Sequence, residues 1–192
     1  MELVKGRPVD ETDRLAKEIE TYNFLDSVSG YNMRLFRAKK PEGPYLDAAG
    51  NNAVFESRAV NQYTKGIKVM GNYTFSNCSI GYRSPGHNSA FVDGDGQRYL
   101  IYHTRFADKG EYHEVRVHQQ FMNEDGWPVT AVFENRKDEI SPTGYEKSEI
   151  AGVYEFINHG TVSDGADVKE PEVVILKEDG TIEGAYTGTW ME

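Results

Sequence analysis

Between residues 112 and 122 the chain reads YHEVRVHQQFM, and its side chains fall into two alternating sets. His113, Val115, Val117 and Gln119 form one, and Tyr112, Glu114, Arg116 and His118 the other. A period of two marks a half-buried β-strand, because successive side chains leave opposite faces of the pleat. Tyr31, Met33, Leu35 and Ala38 read as part of a second strand, GIKVMGNYTFS (66–76) as a third, and 88–93 and 98–104 as two more. These last two are joined by DGDGQ, whose glycines accept φ > 0 and so suit a hairpin. KKPEGPY (39–45) and NEDGWPV (123–129) carry the Pro and Gly of turns. Consecutive hairpins predict a meander, the unit of a propeller blade and equally of a sandwich. Against this pattern, residues 8–21, PVDETDRLAKEIET, predict a helix. Asp10 or Thr12 serves as its cap, and Leu15 and Ile19 fall at i, i+4 on a thin apolar face.

The patterning changes near residue 134. ENRKDEISPTGYEKSEIAG (134–152) is polar and charged, as a linker is. Three short strands follow, in VYEFINHG, EVVILKEDG and TIEGAYTGTW, and predict a second, smaller all-β unit. The chain thus divides into an atypical N-terminal segment, 1–21, a larger β unit, 22–134, and an accessory β unit, 135–192, with the features of a truncated domain.

Composition narrows the partners. Aromatic residues make up 12 % of the chain, twelve of them tyrosines, which suits pleated surfaces. Sugar-binding proteins share that bias. The net charge of −10, from 21 basic and 31 acidic residues, argues against nucleic acid and against an anionic membrane surface. A neutral substrate is compatible; a polyanionic one is a poor match. Cys78 is the single cysteine, so no internal disulfide forms. No apolar run approaches a membrane span, and the first residues carry no signal-peptide apolar stretch.

Candidate chemistry centres on histidines at strand ends. His87 sits in SPGHNS (84–89), a tight Pro-Gly loop ahead of a strand, and is open to three roles: metal ligand, acid/base or plain hydrogen-bonding residue. His103 and Arg105 lie two apart and share a strand face, where Arg105 has the chemistry to pair with a carboxylate. His113 and His118 face opposite sides of their strand, so they do not share a zinc ion. Asp93 and Asp95 fit a hairpin turn better than a calcium loop, whose twelfth-position Glu is missing. There is no Walker loop, GxSxG elbow, CxxC pair or dinucleotide fingerprint.

Several runs in a fixed order carry a family likeness: SGYNMRLFRAKKPEGPYLDAAGNNA, GIKVMGNYTFS, GYRSPGHNSAFVDGDGQRYLIYHTRF, EYHEVRVHQQFMNEDGWPV and YEFINHGT with EDGTIEGAYTGTW. Over residues 22–190 the chain resembles the C-terminal portion of glycoside hydrolase family 43, in the endo-α-1,5-L-arabinanase group with an added C-terminal β-domain. The resemblance implies an all-β fold: part of a five-bladed β-propeller, followed by a small β-barrel-like or β-sandwich domain. It implies inverting hydrolysis of α-1,5-L-arabinan by two carboxyl groups. It further implies a calcium ion in the channel with His87 as its protein ligand, substrate contacts from Asn88, Ser89, His103 and Arg105, and an extracellular or periplasmic location. The family's acid and base precede the GYNMR strand. Glu2 stands at about the acid's distance, but MELVKG does not match its context, so no catalytic residue is carried over. The expectation is a C-terminal fragment, inactive alone, whose partner is a missing N-terminal propeller half. The alternatives are a non-catalytic carbohydrate-binding or interaction module and one half of a split enzyme.

Overall fold

The computed structural model describes residues 19–24, 30–54, 65–107, 109, 112–162, 164–165 and 167–191. The strands β1 (Ile19–Phe24), β2 (Gly30–Leu35) and β3 (Ile67–Met70) form an antiparallel sheet in the order β1-β2-β3. A second sheet is a meander of β4 (Tyr82–Val92), β5 (Arg98–Phe106), β6 (Glu114–Met122) and β7 (Pro128–Thr130). After a single turn of helix, α1 (Lys147–Ile150), the strands β8 (Gly152–Phe156), β9 (Glu172–Leu176), β10 (Thr181–Gly184) and β11 (Gly188–Thr189) form a third. The expected all-β class stands, and β2, β3, β5, β6 and β8 to β10 fall on the runs read as strands.

The helix expected over 8–21 needs correcting. Ile19, Glu20 and Thr21 belong to β1, paired with Leu35, Arg34 and Met33 of β2; residues 8–18 lie outside the described residues, as does Glu2. Six consecutive antiparallel pairs, from Ile19↔Leu35 to Phe24↔Gly30, occupy that backbone. A short helix with a thin apolar face is marginal by itself, and the neighbouring strand decides the outcome.

Strand β5 shows how the alternation becomes a core. Leu100, Tyr102, Thr104 and Phe106 are buried, while Tyr99, Ile101, His103 and Arg105 are half-exposed. Leu100 and Tyr102 pack with Met33 and Leu35 of β2, Met70 of β3, Tyr73, Ala90 and Trp127 into one cluster spanning the first two sheets. Each such side chain contributes roughly 1.5–3 kcal/mol when fully buried. Tyr102 brings its hydroxyl into this core, 3.1 Å from His118 Nε2, and His118 Nδ1 lies 2.8 Å from the Ala131 carbonyl. Nδ1 must donate to that carbonyl, so Nε2 accepts from Tyr102 and both polar groups are satisfied.

The segment 158–169, between β8 and β9, is locked onto the first sheet. Lys68 Nζ donates to the carbonyls of His159 (2.9 Å) and Val162 (2.7 Å) and to Asp164 Oδ1 (3.0 Å), which uses all three of its donors. The two side chains of this ion pair are only 2 % and 3 % exposed. Asp164 Oδ2 accepts from the Asn72 backbone N–H at 2.8 Å. Asn72 Nδ2 donates to the carbonyls of Gly165 and Asp167, and Tyr73 bridges to Lys169 in parallel. A buried charge is tolerated only with such saturation. Gly71 is required by the closeness of this contact: a Cβ there would overlap Asp164 Oδ2 and come within 2.9 Å of Lys68 Cε.

Two expectations follow from this lock. Gly71→Ala should destabilise the protein by about 3 kcal/mol in urea denaturation, since it both overpacks and disturbs a buried ion pair. Gly50→Ala, where φ is +83° but the space is open, should cost only about 1 kcal/mol; equal costs would show that the lock does not set stability. The second concerns pH. Burial, with Lys68 and Lys169 nearby, lowers the His159 pKa to about 4, although Asp164 opposes this. Because the folded value lies below the unfolded one, His159 weakens folding as pH falls from the ordinary imidazole range, and the loss levels off below pH 4. The full swing is roughly 3 kcal/mol. Denaturation midpoints measured from pH 7 to 4 should show it, and His159→Phe should flatten the slope.

Candidate functional site

The SPGH stretch is not a loop ahead of β4 but an irregular part of the strand itself. The β4–β5 register shifts between Arg83 and Gly86 and again between Gly86 and Ser89. Ser84 and His87 both adopt φ of +49°, a region L-residues enter at a cost of order 1 kcal/mol each. The surroundings hold them there. Ser84, 1 % exposed, donates its N–H to Asn72 Oδ1 at 2.7 Å, and Thr104 Oγ1 donates to the Arg83 carbonyl at 3.0 Å. Such bulges re-aim a side chain. Here Ser84, Pro85 and Gly86 are buried while His87 is turned outward and exposed.

His87 meets a row of side chains on the half-exposed face of β5. Its ring stands edge-on to His103 with centroids 5.9 Å apart. His103 stacks on His113 at 4.6 Å and meets Tyr31 of β2 edge-on at 5.5 Å. Arg105 Nε donates to His113 Nε2 at 3.0 Å, and its guanidinium lies 5.9 Å from the Tyr31 ring. Because Nε2 accepts, the His113 proton sits on Nδ1. Ser89, opposite Ile101, shares this face, and Asn88, half-buried, lies at the second register shift.

Burial lowers the His103 pKa, and neighbouring His113, His87 and Arg105 push it the same way, so the ring is neutral at neutral pH. Its Nε2 is buried with no hydrogen-bond partner, as is Nε of Arg83, which pairs with Arg105 across the ladder. Buried polar atoms are normally satisfied, and these two are among the exceptions in the described residues. The face offers imidazole and guanidinium groups suited to hydroxyl or carboxylate oxygens. None of Tyr31, His87, His103, Arg105 and His113 is a carboxylate, so this cluster has no acid/base pair for glycoside hydrolysis.

The donor set also bears on calcium, which takes six to eight oxygens. His87, His103 and His113 offer nitrogens, and among the described residues no group of three or more His, Cys, Asp or Glu could hold a metal ion. These residues therefore do not build a calcium cage; they present one exposed imidazole. His113 and His118 do face opposite sides, one on His103 and the other on Tyr102.

Two residues of this region escape the sequence reading, which weighs His113 only as a zinc partner of His118. His113 and Tyr31 complete the row, and Asn72 holds Ser84. The register could have found His113, because Val115, two residues on and on the same face, pairs with His103. Tyr31 and Asn72 are brought in by contacts between separate elements, which no local pattern announces.

Comparison with known proteins extends this geometry. Residues 132–192 match the family model of the C-terminal lipocalin-like domain of glycoside hydrolase family 43. The chain is 44 % identical to the extracellular endo-α-(1→5)-L-arabinanase 2 of Bacillus subtilis, over 88 % of this chain and 38 % of that protein. It superimposes on the crystal structure of the family 43 YxiA protein from Bacillus licheniformis with a TM-score of 0.78 and 42 % identity, covering 90 % of this chain and 40 % of that one. For the endo-1,5-α-L-arabinanase of Thermotoga petrophila in complex with TRIS the TM-score is 0.81 at 40 % identity, covering 91 % and 39 %. The chain thus spans about two fifths of the length of the relatives it matches. Residues 132–192 thus match the C-terminal domain of family 43, and the chain is similar over most of its length to the C-terminal portion of the endo-α-1,5-L-arabinanases.

Proposed function

We propose that these residues are the C-terminal part of an extracellular, inverting endo-α-1,5-L-arabinanase. The observation that carries the reading is 44 % identity over 88 % of the chain to an enzyme of that name. In this reading the first two sheets are the last blades of a five-bladed propeller, and the third is its accessory domain. The acid and base of the reaction belong to the portion of such enzymes that this chain does not span. In inverting hydrolysis the two carboxyl groups stand about 6.5–9.5 Å apart, with a water between base and sugar.

The role of this chain is then to bind and orient substrate. The unpaired Nε2 of His103 and the guanidinium of Arg105, held by His113, supply hydrogen bonds to arabinofuranose hydroxyls. Asn88 and Ser89 continue that edge. His87 is a single-arm ligand for a hydrated channel cation, calcium by family resemblance, and no step of the reaction is routed through it. The net charge of −10 supports a neutral polymer over an acidic one.

Two measurements test this. The 192-residue chain alone should release reducing ends from linear arabinan at least about a thousandfold more slowly than a full-length family member, because loss of acid/base carboxyls is that severe. Comparable turnover would overturn the reading. Titration calorimetry of the chain with calcium should give a Kd no tighter than about 1 mM, as befits one nitrogen ligand in a shell of water. Tight binding abolished by His87→Ala would show instead that the chain builds the site unaided.

A further inference from the structure

Beside the third sheet, at the connection between β8 and β9, lies a concave surface that the His87 face does not use. A cleft of about 420 Å³ is lined by Asn158, Gly160, Lys169, Glu170, Glu172 and Tyr186. Tyr186 donates its hydroxyl to Glu172 Oε2 at 2.7 Å, which fixes the ring at the wall. Phe156 meets that ring edge-on, with centroids 5.2 Å apart and planes at 74°. Phe156 and Glu172 are cross-strand partners, so the β8–β9 ladder positions both the ring and the carboxylate. On the opposite wall Lys169 Nζ is held by the carbonyls of Asn158 (3.0 Å) and His159 (2.9 Å), and Asn158 Oδ1 accepts from Gly160 N–H at 2.9 Å. Phe156 and Tyr186 are 43 % and 36 % exposed despite being ordered by these contacts.

We propose that this cleft is a second carbohydrate site, taking one or two residues of a neutral oligosaccharide independently of the His87 face. A sugar has an apolar C–H face and a rim of hydroxyls that both donate and accept. The cleft matches both: a fixed aromatic ring for the C–H face, and an amide, an ammonium and two carboxylates for the hydroxyls. Two acids against one base disfavour an anionic sugar. The volume falls in the range of small-ligand sites. Tyr154 lies two residues before Phe156 on the same face of β8, 41 % exposed, and extends the aromatic row by about 7 Å beyond the cleft. A polymer bound along this row would stay tethered while the other face engages it, which raises its effective concentration there. Naming the sugar as arabinan rests on the proposed function; the site itself does not.

Amide NMR titration of the 192-residue chain with α-1,5-arabinotetraose, cellotetraose and tetragalacturonate tests this. Shifts at residues 156–160, 169–172 and 184–187 on adding arabinotetraose are the expected result. Tyr186→Ala should weaken that binding about tenfold, and Tyr186→Phe, which keeps the ring, by far less. Should Tyr186→Ala lose its fold, the Tyr186→Phe and wild-type titrations decide alone. Cleft shifts with cellotetraose instead would uphold a neutral-sugar site and tell against the arabinan reading. Shifts confined to residues 87–105 would overturn the proposal and leave the proposed function standing. No shifts with either neutral sugar, or tighter binding of tetragalacturonate at the cleft, would overturn it.

Discussion

Lys68 and Asp164 form an ion pair in almost complete isolation from water, and it ties the connection between β8 and β9 to the first sheet. An ammonium held in such a site is strongly disfavoured unless each of its protons finds an acceptor. Lys68 finds all three on one segment, 159–164, which belongs to the C-terminal unit in sequence but to the first sheet in space. Burial lowers the Lys68 pKa and the Asp164 carboxylate works to raise it again. Removing either partner would strand the other, so the two units are joined by something harder to undo than a surface contact.

Asn72 carries this constraint to the candidate site. Its backbone N–H binds Asp164, its amide nitrogen binds the Gly165 and Asp167 carbonyls, and its amide oxygen receives the N–H of Ser84. Ser84 is one of the two positive-φ residues in the bulge that turns His87 outward. One side chain, 1 % exposed, therefore connects the C-terminal segment to the strained backbone that aims the histidine. The strain is maintained by a fully satisfied network and not by the local sequence alone. The C-terminal unit is thereby part of how the His87 face keeps its shape.

Most of the strands were legible because period-two alternation is a local property. The β5 faces, the DGDGQ hairpin and the opposite sidedness of His113 and His118 all follow from it, whereas β6 is buried on both faces from His118 to Gln120. The hairpin closes as expected, with Asp93 Oδ1 accepting from Asp95 and Gln97 and Gly96 at φ +82°. What was illegible depended on partners distant in sequence. Ile19–Thr21 has a weak helical pattern, and only β2 makes it a strand. SPGH resembles a loop because a bulge stabilised by Asn72, twelve residues upstream of Ser84, uses the same residue types as a turn. Family resemblance singled out His87, but neither it nor spacing revealed that Tyr31 and His113 complete the row.

The two aromatic-lined surfaces differ in a way that follows from their construction. The His87 face is assembled from three strands of two sheets plus a bulge, so it depends on the lock for its geometry. Among the described residues, two of its buried polar atoms, His103 Nε2 and Arg83 Nε, have no hydrogen-bond partner. The Tyr186 cleft is built mostly from the connection between β8 and β9, which supplies Asn158, Gly160, Lys169 and Glu170, with Glu172 at the start of β9 and Tyr186 just after β10, and its tyrosine is already hydrogen-bonded. Lys169 lines the cleft and also approaches Asp164 at 3.8 Å, so one residue of the cleft stands beside the buried pair. The His159 carbonyl accepts from both Lys68 and Lys169, so the cleft and the lock draw on the same stretch of backbone.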